Sequence, residues 1–184
     1  MPLTLIKEDG TGLVDANAYA NAADGDAYHQ GHLYATAWTA ATTASKEAAL
    51  VMATRLIDSQ YQFGGSRASE TQALQWPRVN CPDPDKAATR VRVSLWLGDA
   101  CVVSSVVPQA VVQATCELAR ELLLADRTAA PAGEGLKYQN VGPNQTGYDK
   151  SDTRPIISHA AQAMLAKFGT LIKSKSGAVR LVRA

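Results

Sequence analysis

The sequence predicts a mainly α protein: a small helical bundle around one long central helix, with a protruding loop or β-hairpin and an extended C-terminal arm. Three observations carry this. Alanine, the best helix former, occurs 32 times in 184 residues, while aromatics make up only 6%. Apolar residues recur at helical spacing in long stretches of the chain. The last residues instead alternate apolar and basic side chains over too short a run to bury a face of their own. With 46% hydrophobic residues the chain can bury a core, which excludes global disorder.

In chain order, Glu8-Asp9-Gly10-Thr11-Gly12 is turn chemistry. It lacks the alternating acids and closing Glu of a calcium loop and the Gly-Lys-Ser/Thr of a phosphate loop. Asn21 is a fitting N-cap for a first short helix ending near Gly31, with Ala23, Ala27 and Tyr28 facing inward. A Thr/Ala-rich connector follows, in which Tyr34 and Trp38 read as core anchors. Ala49, Met52, Ala53, Leu56 and Ile57 mark a second helix over about Ser45 to Tyr61, closed by Phe63-Gly64-Gly65. Ser69 to Gln75 can form a helical turn that Pro77 stops. The Trp76-Pro77 pair reads as a core anchor fixing a chain reversal. Arg90 to Leu97 alternates like a strand, against which stands a loop anchored by Trp96.

The strongest element begins at Pro108, with Ser105 or Val107 as its cap. Val111, Thr115, Leu118, Leu122 and Ala125 line one face of a helix of about 18 residues, widened by Val112, Ala119 and Leu123. Leu118 and Leu122 anchor this central helix. A Pro/Gly/Ala connector leads to Tyr138 through Tyr148, either a strand pair or a protruding loop. A last helix starts near Pro155 and carries Ile156, Ile157, Ala160, Ala161, Met164, Leu165 and Phe168, with Gly169 beyond its end. The organisation expected is therefore a helical domain over residues 1–169, with a loop or hairpin insertion at about 127–152, and an arm over residues 170–184.

Catalytic and metal chemistry find no residues to carry them. There is no G-x-S-x-G, no H-E-x-x-H and no glycine-rich nucleotide loop. His29 and His32 lie three apart, but Gly31 between them ends the helix and no third ligand follows. His159 stands alone. Cys81, Cys101 and Cys116 are odd in number and never spaced C-x-x-C, so they read as reduced packing residues. No cofactor, no metal and no enzyme activity are expected, and no apolar run is long enough to span a membrane.

Charge is unevenly placed. Residues 153–184 carry six basic and no acidic side chains, while residues 1–152 carry twelve basic and all seventeen acidic ones. Such an end suits an acidic partner, either nucleic acid or a protein surface. Single-strand binding uses cations interleaved with aromatics, yet Tyr28, Tyr34, Trp38, Trp76 and Trp96 all sit in the acidic part.

Several stretches, in order, resemble one family. They are Glu8 to Gly12 with Asp15-Ala16-Asn17 and Tyr19; Lys46 to Leu50 with Tyr61, Phe63 and Gly65; Gln72 to Arg78; Val107 to Ala119; Val141-Gly142-Pro143; and Arg180 to Arg183. The chain resembles the tailed-phage head-to-tail connector, or adaptor, proteins, many of whose relatives are described as DnaT-like single-stranded-DNA-binding proteins. That resemblance implies a virion protein of the neck, assembled in the host cytoplasm into a ring of about twelve copies. Its partners would be the portal protein, a tail terminator or tail-completion protein and itself, with packaged DNA passing through unbound and no membrane involved. Tyr138, Asn140, Asn144, Gln145 and Tyr148 would face the channel or the tail. In the arm, Val179, Leu181 and Val182 would give apolar contact to the portal, and Lys173, Lys175, Arg180 and Arg183 the charge. The alternative is a single-stranded-DNA-binding replication accessory; a small regulatory helical protein is a third reading.

Overall fold

The computed structural model describes residues 3–83, 85, 101–129, 138–141, 144–147 and 154–172, for 138–141 and 144–146 as backbone alone. The chain is mainly α. Its helices are α1 (Ala22–His29), α2 (Thr36–Thr39), α3 (Thr43–Gln60), α4 (Gln109–Leu124) and α5 (His159–Leu165). Among the described residues six short strands accompany them: β1 (Tyr61–Phe63), β2 (Ser66–Arg67), β3 (Arg78–Val79), β4 (Tyr138–Val141), β5 (Asn144–Gly147) and β6 (Gly169–Leu171). They pair antiparallel as β1 with β6, β2 with β3 and β4 with β5.

Helix α4 is the centre of the bundle and packs against α1, α2, α3 and α5. Its middle is buried all round, from Val111 and Val112 through Ala114 to Arg120, as a helix surrounded by neighbours should be. Leu118 is fully buried and Leu122 half-buried. Pro108 itself is the N-cap and no side chain caps the helix, so neither Ser105 nor Val107 plays that part. Proline lacks an N–H, and its extended backbone lets its carbonyl open the helix.

Helix α3 starts at Thr42, whose hydroxyl accepts from the Ser45 N–H. It buries Ala49, Leu50, Ala53, Thr54 and Ile57 but leaves Met52 exposed. The face is rotated from the one expected because Thr54 turns inward, donating to the Leu50 carbonyl at 2.9 Å and accepting from the Tyr19 N–H at 3.2 Å. Beyond α3 the chain continues directly into β1, where Tyr61 and Phe63 point inward. Phe63 meets Trp76 and Trp76 meets Phe168 edge-on, at 5.5 and 5.8 Å between ring centroids.

Two loops use one side chain in place of regular structure. The Glu8 carboxylate is buried and accepts from the Gly10, Gly12 and Leu13 N–H groups, each at 2.9 Å. The turn thus wraps its own anion, which fills the concavity a phosphate would need. Residues 69–75 form no helical turn. The buried Gln72 side chain accepts from the Ser69 N–H and donates to the Leu74 and Pro77 carbonyls, at 2.8, 2.8 and 3.0 Å. Trp76 and Pro77 are buried and joined by a cis peptide bond.

Helix α5 begins at Ser158 rather than near Pro155. The carbonyls of Pro155 and Ile156 accept instead from Arg127 at 2.6 and 2.7 Å, which satisfies them without a helical turn. Gly169 opens β6 instead of capping a helix, and Thr170 pairs with Gln62. The boundary expected between residues 169 and 170 therefore falls inside a paired strand.

Candidate functional site

Helix α1 and the corner leading to α2 bring together rings and charges that run from the core to the surface. Asn21 and Asp24 form a reciprocal capping box at the start of α1. The inward face of that helix is Gly25 and His29, whereas Ala23 and Ala27 are exposed. The reason is Trp38: a Cβ on residue 25 would lie 2.2 Å from its ring, so only glycine admits the indole. Trp38 is then fixed by its Nε1, which donates to Asp26 at 2.8 Å, and by the Lys46 ammonium 5.2 Å from its ring. Lys46 and the Trp38 indole also hold the Asp26 carboxyl below its ordinary range.

His29 is buried at 5.0 Å from the Trp38 ring, and its Nε2 donates to the Cys116 carbonyl at 3.2 Å. Burial keeps its pKa below the ordinary imidazole value. His32 lies 5.8 Å from His29 between ring centroids and accepts the Tyr34 N–H on Nδ1 at 3.1 Å. That leaves the proton on Nε2, which faces Glu117 Oε2 at 3.7 Å. Glu117 Oε1 accepts from Arg120 at 2.6 Å, and Arg120 also meets Glu121 at 2.7 Å. Glu121 in turn holds Arg127 at 2.9 Å and Arg154 at 3.5 Å. The charged chain ends there, beside the C-terminus of α4, where cations offset the helix dipole.

Tyr34 was expected in the core with Trp38. It is 77% exposed, and Leu33 beside it is 91% exposed. The rings that come together are thus Trp38, His29, His32 and Tyr34, running from the interior to solvent. Sequence spacing could have found His29 and His32 as neighbours; nothing local distinguished the outward ring from the inward one.

Elsewhere, Tyr19 donates to Asp58 and accepts from the Gln75 and Trp76 N–H groups at 3.1 and 3.2 Å. Burial pushes the Asp58 carboxyl up to about 6. A cavity of about 410 Å³ beside β1 and β6 is lined in part by Phe63, Pro82, Lys167 and Phe168; its cation is paired with Asp85 at 2.6 Å. Among the described residues no group of three or more His, Cys, Asp or Glu is placed to hold a metal, and no helix is long and apolar enough to cross a membrane.

Of the residues assigned to a channel- or tail-facing loop, Tyr138, Asn140, Asn144 and Gln145 lie on a hairpin, with Asn140 opposite Gln145 and Val141 opposite Asn144. Tyr148, Trp96 and the arm residues Lys173, Lys175, Val179, Arg180, Leu181, Val182 and Arg183 lie outside the described residues.

A family model described as "Putative DnaT-like ssDNA binding protein" matches residues 3–184. No curated protein and no solved structure matches. The match corrects the expected function. The family's description agrees with the single-stranded-DNA reading and not with a structural connector of the virion, for which no finding speaks. Matched over nearly its whole length, the chain belongs to the DnaT-like ssDNA binding family.

Proposed function

We propose that this protein binds single-stranded DNA. The observation that carries the proposal is the match of residues 3–184 to a family whose description names that activity. The distribution of charge supports it, since residues 153–184 hold six cations and no carboxylate side chain. Cations near a strand displace its condensed counterions, which supplies affinity without reading sequence. Lys173, Lys175, Arg180 and Arg183 supply four of those cations.

The test is fluorescence anisotropy of a labelled oligothymidylate of about 30 nucleotides, longer than the ~4–16 nucleotides a single-strand module usually covers. Affinity should fall linearly on a log–log plot against salt, by roughly 0.7 per neutralised phosphate. Changing Lys173, Lys175, Arg180 and Arg183 together to glutamine should flatten that slope by up to about 3, at roughly 0.7 for each cation removed from the strand. Absence of binding at low salt would refute the proposal.

A further inference from the structure

The corner between α1 and α2 displays what a buried core would normally claim. Surface turns favour Gly, Asn, Asp and Ser, yet this one carries Leu33 and Tyr34 at 91% and 77% exposure. Tyr34 is nevertheless held in place. Its N–H donates to His32 Nδ1 at 3.1 Å, and its ring stands edge-on to His32 at 6.4 Å between centroids. His32 is backed by His29, and His29 by the buried Trp38.

Beneath this row lie orphaned polar atoms. Four buried side-chain nitrogen or oxygen atoms among the described residues have no hydrogen-bond partner, and three of them belong here: His29 Nδ1, Arg120 Nε and Glu117 Oε2, the last facing His32 Nε2 across 3.7 Å. Buried polar atoms without partners are costly, and these three belong to side chains linked to His32: His29 beside it, Glu117 facing it and Arg120 bound to Glu117.

Resting on the single-strand reading above, we infer that the Tyr34–His32 corner is the platform on which an unpaired base of the DNA stacks. A tyrosine fixed by its backbone offers a wide π-face with few torsions to freeze. Every base has a complementary face, so such a contact tolerates any sequence. Charge does not oppose it. Asp24 is paired with Lys7 at 2.8 Å, Asp26 with Lys46 at 2.7 Å and Glu117 with Arg120 at 2.6 Å. A neutral corner releases no counterions, so its contribution is insensitive to salt, unlike that of the basic end.

The experiment measures the full chain against labelled oligothymidylate across a salt series. Tyr34→Leu keeps an apolar side chain and removes the ring, and should weaken binding about tenfold at every salt concentration, leaving the slope unchanged. Tyr34→Phe keeps the ring and should bind as the unaltered protein does. Because Tyr34 is exposed, thermal unfolding of both variants should match the parent, which separates a binding defect from a folding defect. If the parent binds and Tyr34→Leu binds equally well, or if Tyr34→Phe falls as far as Tyr34→Leu, the platform is refuted while single-strand binding stands. If the parent does not bind at all, the underlying reading fails and the platform with it.

Discussion

Replacing Gly25 by alanine should destabilise the protein even though alanine is the better helix former. In α1 the change brings about 1 kcal/mol of helix propensity. Against that, the new methyl would sit 2.2 Å from Trp38 Cζ2 and 2.6 Å from Cη2, where no carbon can stand. The indole has nowhere to go, tied by Asp26 at 2.8 Å and faced by His29 at 5.0 Å. Overfilling a packed core costs about 1–3 kcal/mol, and losing a large ring from it altogether about 3–5 kcal/mol. With the indole unable to shift aside, the ring-loss cost applies, and after the helix gain the net loss should be about 2–4 kcal/mol, read as a lower urea midpoint and as a Tm lowered by roughly 5–15 °C for a chain of this size. Gly31 is the matched control. A methyl there meets nothing within 4 Å, and alanine should be neutral or stabilising by up to about 1 kcal/mol through the unfolded chain. If Gly25→Ala behaved as Gly31→Ala does, the close packing of α1 on the Trp38 ring would be refuted.

The other predictions concern side chains that stand in for regular structure. Asp58 keeps its proton to about pH 6, against an ordinary 3.8. The folded state therefore holds a proton the unfolded chain has released, and this contribution to stability is lost as pH rises from about 4 to 6. At about 1.4 kcal/mol per unit the loss is at most about 3 kcal/mol; the urea midpoint of the parent minus that of Asp58→Asn should fall through that window, and a rise would refute it. Glu8→Gln keeps the acceptor for Gly10 and Gly12 but turns a donor toward the Leu13 N–H, costing about 1–3 kcal/mol in chemical denaturation. Arg127→Lys offers a single point charge where the guanidinium now serves Glu121 and the carbonyls of Pro155 and Ile156. It should cost about 1–3 kcal/mol and speed hydrogen exchange at the start of α5.

What could be read from the sequence depended on how local the physics is. Helices α3 and α4 were legible because each repeats apolar residues every three or four positions over four turns or more. The N-cap of α1 was legible because Asn21 bonds within three residues of itself. Strands β1 and β6 were not, since Tyr61 and Leu171 pair across more than a hundred residues and neither segment alternates for long enough to announce itself. The late start of α5 depends on Arg127, and the absent turn at 69–75 on Gln72, each a single polar side chain overriding backbone propensity. Tyr34 and Trp38 share a Thr/Ala-rich stretch with no period, so composition placed both rings inside. Only Gly25, opposite, had room for an indole, and the ring it admits is Trp38.

The same opposition explains why the exposed corner is held so firmly. Removing Glu117 and Arg120 from water carries a desolvation cost that a pair of apolar residues would avoid, so their place on α4 is not accounted for by stability. What they do is orient the corner. With Nδ1 occupied by the Tyr34 N–H, His32 can present only its Nε2 proton, and that faces Glu117. Glu117 is itself steadied by Arg120, Arg120 meets Glu121, and Glu121 is bound to Arg127 at the entrance to α5. The exposed ring is thus connected through five side chains, along one face of the central helix, to its C-terminal end. Arg127, the last of them, also holds the Pro155 and Ile156 carbonyls ahead of α5, and the neutral surface that would take a base is distinct in charge from the basic sequence that would take phosphates. Their contributions should differ in kind, one set by ring area and the other by salt, and should multiply when both are removed.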